Sequence, residues 1–280
     1  MITVWGLSVA ACSEEPTVAS EDQDEASFAA ATESSYETAT LTALTATVVA
    51  AAANDPGPLA SKQAASCPEV SVGAQQDNRS YSITLDAGNG CTLNGKTYRG
   101  SLNIAVQLKP LGGAGSTTAT ATFDEFYADE QKVDGTLSAT FSVQDGTASG
   151  TASLDLTLAH QDQSVAGEAS LNVVIRTQQT LALEDDEARI TGTADLDYTN
   201  NDDVAAASIA ISDEHPVTFV GGCPFPVDGT FEADGSLHGR TFSGVEVDFA
   251  PHQGACDTVV AVTVGGLTRT YDFTDIRNNK

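Results

Sequence analysis

The sequence predicts an all-β protein: a long antiparallel meander curled into a barrel, a half-barrel or a sandwich, with one Ala-rich N-terminal helix. From Cys67 onward, apolar residues recur at every second position, with Thr, Ser, Asn, Asp and Glu between them. Period two with a single oily face marks strands that are wetted on one side. Turn dipeptides such as Asn94-Gly95 and Gly265-Gly266 separate these runs, as two-residue hairpins require. Helical spacing is confined to an Ala- and Thr-rich stretch before Cys67, which supplies the one helix.

The chain opens with an apolar run, Ile2 to Ala11, far too short to span a bilayer. Its end, Val9-Ala10-Ala11-Cys12, resembles the lipobox of bacterial lipoprotein signal peptides: aliphatic, small, small, Cys. The resemblance implies that residues 1–11 are a signal-peptide remnant, that cleavage falls before Cys12, and that Cys12 carries the lipid. Small residues suit the site because the peptidase must fit the backbone beside a diacylglycerol-modified cysteine. No Lys or Arg precedes Lys62, so the basic n-region of a secretory signal is missing here; a start placed further upstream would supply it. Residues 12–26, from Cys12-Ser13-Glu14-Glu15 past Glu25, are acidic, small and polar and cannot bury enough area to fold. They form a flexible tether. Ser13 stands where an Asp signals inner-membrane retention in enteric bacteria, so the same resemblance implies the outer membrane, facing the periplasm or the cell surface.

Residues 27–66 form the helical segment. Phe28, Tyr36, Leu41, Leu44 and Val48 fall on one face, and Asn54-Asp55-Pro56-Gly57 stops the helix. Residues 67–280 form the β domain. Its apolar stripes include Leu102-Ile104-Val106-Leu108, Leu137-Ala139-Phe141-Val143, Ala152-Leu154-Leu156-Leu158, Ala169-Leu171-Val173-Ile175, Ile190-Ala194-Leu196-Tyr198 and Val245-Val247-Phe249. A meander of this kind cannot leave its apolar face open. It must close, fold over, or take a helix against its concave side, and the Ala-rich helix suits the last case.

Charge excludes whole classes of partner. The chain carries 39 acidic against 12 basic residues, a net charge of -27. Such a surface repels phosphate backbones, so nucleic acid is not a partner. The membrane is reached through the lipid anchor instead.

Four cysteines remain: Cys67, Cys91, Cys223 and Cys256, with no CxxC pair to suggest structural zinc. Behind a secretory signal they form two disulfides in one of three pairings. Cys67–Cys91 and Cys223–Cys256 are favoured, because each pair brackets a similar unit: a strand, an Asp, a Gly-bearing loop, then Cys, as in YSITLDAGNGC and FSGVEVDFAPHQGAC.

The segments CPEVSV, ITLDAGNGC and NGKTYRGSLNIAV, then TFDEFYADEQKVDGTLSATF and GACDTVVAVTVGGLTRTYDF, together resemble a family of bacterial lipoproteins without an assigned activity. The resemblance covers about residues 67 to 273 and implies the lipoprotein and β assignments, not a chemistry. Ala87 stands where that family has an aromatic, and Pro251-His252-Gln253 lengthens the loop before Cys256.

No catalytic constellation is present. His160, His215, His238 and His252 are far apart and lack metal-ligand spacing, and there is no GxSxG elbow or phosphate-cradling loop. Asp86 and Asn89 beside one cysteine loop, and Asp248 and Asp257 beside the other, are weak calcium candidates; turn hydrogen bonding is their commoner use. No catalytic residue, metal or cofactor is assigned. The expected function is that of a membrane-anchored bacterial lipoprotein, a non-catalytic structural or binding module whose partner is a hydrophobic small molecule or a protein. The alternatives are a secreted hydrolase with a site on acidic loops around Asp185, Asp202 and Asp203, and an adhesin-like surface module that pairs through exposed edge strands.

Overall fold

A computed structural model describes helical residues between 38 and 53 and, in the β region, residues 69–73, 80–93, 96–108, 116–128, 131–160, 163–176, 187–200, 203–220, 223, 225–237, 240–252 and 256–272. Fourteen strands follow in chain order: β1 (Glu69–Val72), β2 (Ser80–Leu93), β3 (Lys96–Gln107), β4 (Thr117–Ala128), β5 (Gln131–Gln144), β6 (Thr147–His160), β7 (Gln163–Arg176), β8 (Glu187–Asn200), β9 (Asp203–Ile211), β10 (Val217–Val220), β11 (Thr230–Leu237), β12 (Arg240–Asp248), β13 (Val259–Val264) and β14 (Leu267–Asp272). All belong to one antiparallel sheet. Each strand pairs with the next except at β10, which follows β9 along the same edge of β8. Between Ile211, paired with Gly192, and Val217, paired with Ile190, β9–β10 advances six residues while β8 advances two. The extra residues form a bulge around Ser212 to Pro216.

The sheet is open. Its path runs from β1 to β14 without pairing the two ends. That path omits β10 and so holds an odd number of antiparallel strands, which leaves both edges running the same way. Direct closure would need a parallel pair, and an all-antiparallel barrel takes an even strand count.

Hairpin chemistry matches the sequence reading. Gly265 and Gly266 have φ of 57° and 83° between paired Val264 and Leu267, the positive values a type I′ turn needs. Leu93 pairs with Lys96, so two residues connect β2 to β3. A third turn of this kind, Asp145-Gly146 with φ of 51° and 76°, joins β5 to β6. From β5 through β8, 14-residue strands pair with no register break.

One face of the sheet is apolar. Ile83, Ile104, Leu137, Leu156, Leu171, Ile190, Phe231, Val247 and Val262 are all buried and belong to a single core. Large and small residues alternate across the strands within it. Gly135 faces Leu156, which faces Gly167, then Leu196 and Ala207. Interdigitation of this kind lets neighbouring strands close up on the concave side, as in the interiors of small barrels. Gly192, with φ of 131°, needs its glycine: a Cβ there would collide with the carbonyl oxygen of Ser170 on β7.

The helix, α1, comprises the helical residues between 38 and 53. Ala39, Val48, Val49, Ala50 and Ala52 share the core with strands from β2 to β13, so the sheet curls around α1. Of the face expected from sequence, Val48 is buried, whereas Phe28, Tyr36, Leu41 and Leu44 lie outside the described residues. Thr38, Thr42, Thr45, Val49 and Ala52 form a second buried stripe. A helix enclosed by a sheet is covered on more than one side, which a one-faced pattern does not anticipate.

Candidate functional site

The concave face with α1 seated in it is the principal candidate. The described α1 side chains are Ala, Thr or Val, and the strand residues of the same core are Leu, Ile, Val and Phe interspersed with many Ala. Tyr81 on β2 donates its hydroxyl to the Ala52 carbonyl at 3.0 Å, tying the C-terminal end of α1 to the start of β2. Carbonyls in the last helical turn lack intrahelical partners, so this bond satisfies one of them. Thr42 donates its hydroxyl back to the Thr38 carbonyl at 2.6 Å, one helical turn before it. The Thr38 hydroxyl is 1% exposed and finds no hydrogen-bond partner among the described residues. Ala43, Ala46 and Ala53 are half-buried, and Ala46 and Ala53 pack against the core.

The end of the sheet near Tyr81 is closed by a disulfide and an aromatic plug. Cys223 and Cys256 are bonded, with Cα atoms 5.3 Å apart, joining the β10–β11 connection to the β12–β13 connection. Phe225, two residues after Cys223, is buried in the core, and Phe231 packs on Phe249 with ring centroids 5.8 Å apart. With the cysteines 33 positions apart, closing this loop stabilises the fold by about 3.7 kcal/mol in the chain-entropy model. Cys91 is also disulfide-bonded. Cys67, its favoured partner from sequence, lies outside the described residues, as does the lipidation candidate Cys12.

The calcium candidates are engaged in turns. Asp86 accepts from the Gly88 amide at 2.8 Å and Asp248 from the Ala250 amide at 2.7 Å. Asp257 accepts from the Val259 amide through one oxygen and lies 2.8 Å from His252 Nδ1 through the other, while Asn89 is exposed. Among the described residues no three His, Cys, Asp or Glu side chains converge on a metal position. The His252–Asp257 contact, five residues apart in the loop that the disulfide pins, was not legible as a pair. Asp185 and Asp202 of the acidic loops lie outside the described residues, and Asp203 opens β9.

Two further features lie on the outer face. A depression of about 450 Å³ across β2, β3 and β4 is lined by Ser80, Ser82, Gln107, Thr118 and Thr120 among others. At the β4 bulge, where Glu125 has φ of 44°, Lys132 pairs with Glu125 and Asp134 at 3.3 Å each, and Arg99 lies 3.8 Å above the Tyr127 ring. Hydrogen bonds that the Lys132 ammonium donates to Asp134 and then to Glu125 raise its pKa above the ordinary 10.5. Lys132 is thus matched by two carboxylates and Arg99 by an aromatic ring. At the sheet edge, Leu267 on β14 is 58% exposed. No described helix is long and apolar enough to cross a membrane. No protein-family model, curated protein or solved structure matches the chain.

Proposed function

We propose that the chain is a lipid-anchored, non-catalytic binding module of the bacterial outer membrane, held by Cys12 and presenting its concave face to a hydrophobic small molecule. The observation that supports this reading is the arrangement of the sheet: one continuous buried apolar face with α1 seated against it, in a sheet whose two edge strands do not pair with each other among the described residues, and with polar and acidic residues turned outward. Burial of apolar area is the favourable term for an oily ligand on such a face. The acidic tether of residues 12–26 would hold the body off the bilayer, and the net charge of -27 would repel anionic headgroups and nucleic acid. Cys67 is proposed as the partner of Cys91, which would pin β1 and β2 at the first edge.

Native mass spectrometry of protein extracted from bacterial membranes tests the ligand. The expected spectrum contains a non-covalent adduct that is extractable into organic solvent. A spectrum of the adduct-free protein alone, from membranes never exposed to detergent above its micelle concentration, contradicts the reading.

A further inference from the structure

We infer that β14 is a docking edge for a second copy of this chain, and that two β14 strands pair antiparallel about a two-fold axis to form a closed dimer. The inference does not depend on what the concave face binds.

The two edges of the sheet are unequal. β1, at one edge, is four residues long and opens with Glu69. β14, at the other, is six residues long, contains no proline, and pairs with β13 along its whole length without a register break. Short strands, charges, prolines and bulges are the usual guards against edge-to-edge pairing, and β14 has only Arg269 and Asp272 among them. Leu267, Thr268, Arg269 and Thr270 are all exposed, and no strand among the described residues pairs with their far side.

Backbone chemistry fixes which groups this edge offers. In the type I′ hairpin at Gly265-Gly266, Val264 and Leu267 exchange both of their hydrogen bonds. Alternate residues from Leu267, namely Arg269 and Tyr271, therefore bond to β13. Thr268, Thr270 and Asp272 turn their amides and carbonyls towards the open side.

Direction fixes the partner. Both edges of the sheet run the same way, so with the apolar faces on one side β14 meets β1 of another copy only in parallel. Two β14 edges meet antiparallel, the more stable arrangement. One register matches the most bonding groups: Thr270 opposite the partner's Thr270, and Thr268 opposite the partner's Asp272. The same register sets Arg269 opposite the partner's Tyr271, a cation beside an aromatic ring. Leu267, which is 58% exposed, becomes the diagonal neighbour of that ring. Leu267, Arg269 and Tyr271 all lie on the apolar side of β14, because Val264, Val262 and Val260 opposite them are buried. Sliding the partner two residues towards the turns would set Arg269 against its own copy, which like charge disfavours. The contact uses one patch on both copies, so it closes at two.

A six-residue seam is smaller than a standard interface, and two chains of net charge -27 repel, so the dimer is weak and tightens with salt. The test is sedimentation equilibrium of the full chain, with Cys12→Ser so that no acyl group drives association. The series runs from about 5 to about 500 μM, at roughly 0.05 and 0.5 M sodium chloride. The expected Kd is about 100 μM at the higher salt and larger at the lower.

Thr270→Pro removes the amide at the centre of the seam, a group that β13 does not use, so the hairpin is kept. Thr270→Lys sets two ammonium groups opposite each other. It also makes the net charge less negative, so a dimer held through any other surface would tighten. Both variants are expected to weaken dimerisation about tenfold or more while melting within a few degrees of the parent. If Thr270→Pro fails to fold, Thr270→Lys decides. A parent chain that stays monomeric at the highest concentration and salt overturns the inference. So does a dimer that Thr270→Lys leaves unchanged or tightens, and so do masses that climb past the dimer, which mark open-ended stacking.

Discussion

At the scale of single residues, the curl of the sheet rests on glycines that no other residue replaces. Gly192 combines φ of 131° with a Cβ position that overlaps the Ser170 carbonyl oxygen. Gly192→Ala must therefore strain its backbone and push β7 away, at an expected cost of ~3 kcal/mol, read as a drop in the urea midpoint at unchanged slope. Gly265 differs: its φ is 57° and its Cβ would meet open space. Asn tolerates that conformation, so Gly265→Asn is expected to stay within ~0.5 kcal/mol of wild type in the same titration. The two outcomes separate a steric requirement from a merely conformational one.

Between strands, charge placement decides. Asp155 on β6 faces Glu168 on β7, which faces Asp195 on β8. Like charges directly opposite destabilise a sheet, and the Ser208 hydroxyl, donating to Asp195 at 2.6 Å, relieves only one of the three. Glu168→Lys is expected to stabilise the protein by ~1 kcal/mol at low salt, with the gain shrinking towards 1 M as screening shortens. A gain that is independent of salt would show that repulsion is not the cause.

Legibility in the sequence followed side-chain size. β6, β7 and β8 were plain because Leu, Ile and Val recur at alternate positions over fourteen residues. β4 was faint, because its inward positions begin with Thr117, Ala119 and Ala121, and β9 was faint because outward Ala206 and Ala210 flank inward Ala207 and blur the alternation that Ile209 and Ile211 carry. Ala carries almost no hydropathy contrast with its Thr and Ser neighbours. The Asp145-Gly146 turn was present as a dipeptide yet obscured by the Thr and Ser around it. Val143, assigned to the oily stripe of β5, is 49% exposed, because it lies beyond Phe141 where the strand runs out to that turn. Alternation gives the face but not the length of the core. The Cys223–Cys256 bond followed from matching units around each cysteine, whereas the tie from Tyr81 to Ala52 spans 29 positions and leaves no local signal.

For the molecule as a whole, stability divides between a one-sided core and its covalent brace. The Cys223–Cys256 link joins the β10–β11 and β12–β13 connections, so Cys223→Ser with Cys256→Ser is expected to lower unfolding free energy by ~3–4 kcal/mol. An equal stability of the reduced and oxidised protein would mean the loop is ordered without the bond. The outer surface adds self-repulsion at a net charge of -27, so moderate salt is expected to stabilise this chain generally.

The proposed anchor, the proposed removal of residues 1–11 and the disulfide brace meet in one number, the intact mass of the protein purified from a bacterial membrane fraction. A chain beginning at Cys12, heavier by its acyl groups and lighter by the four hydrogens of two disulfides, is the predicted result. A mass that retains the first eleven residues without lipid contradicts the account.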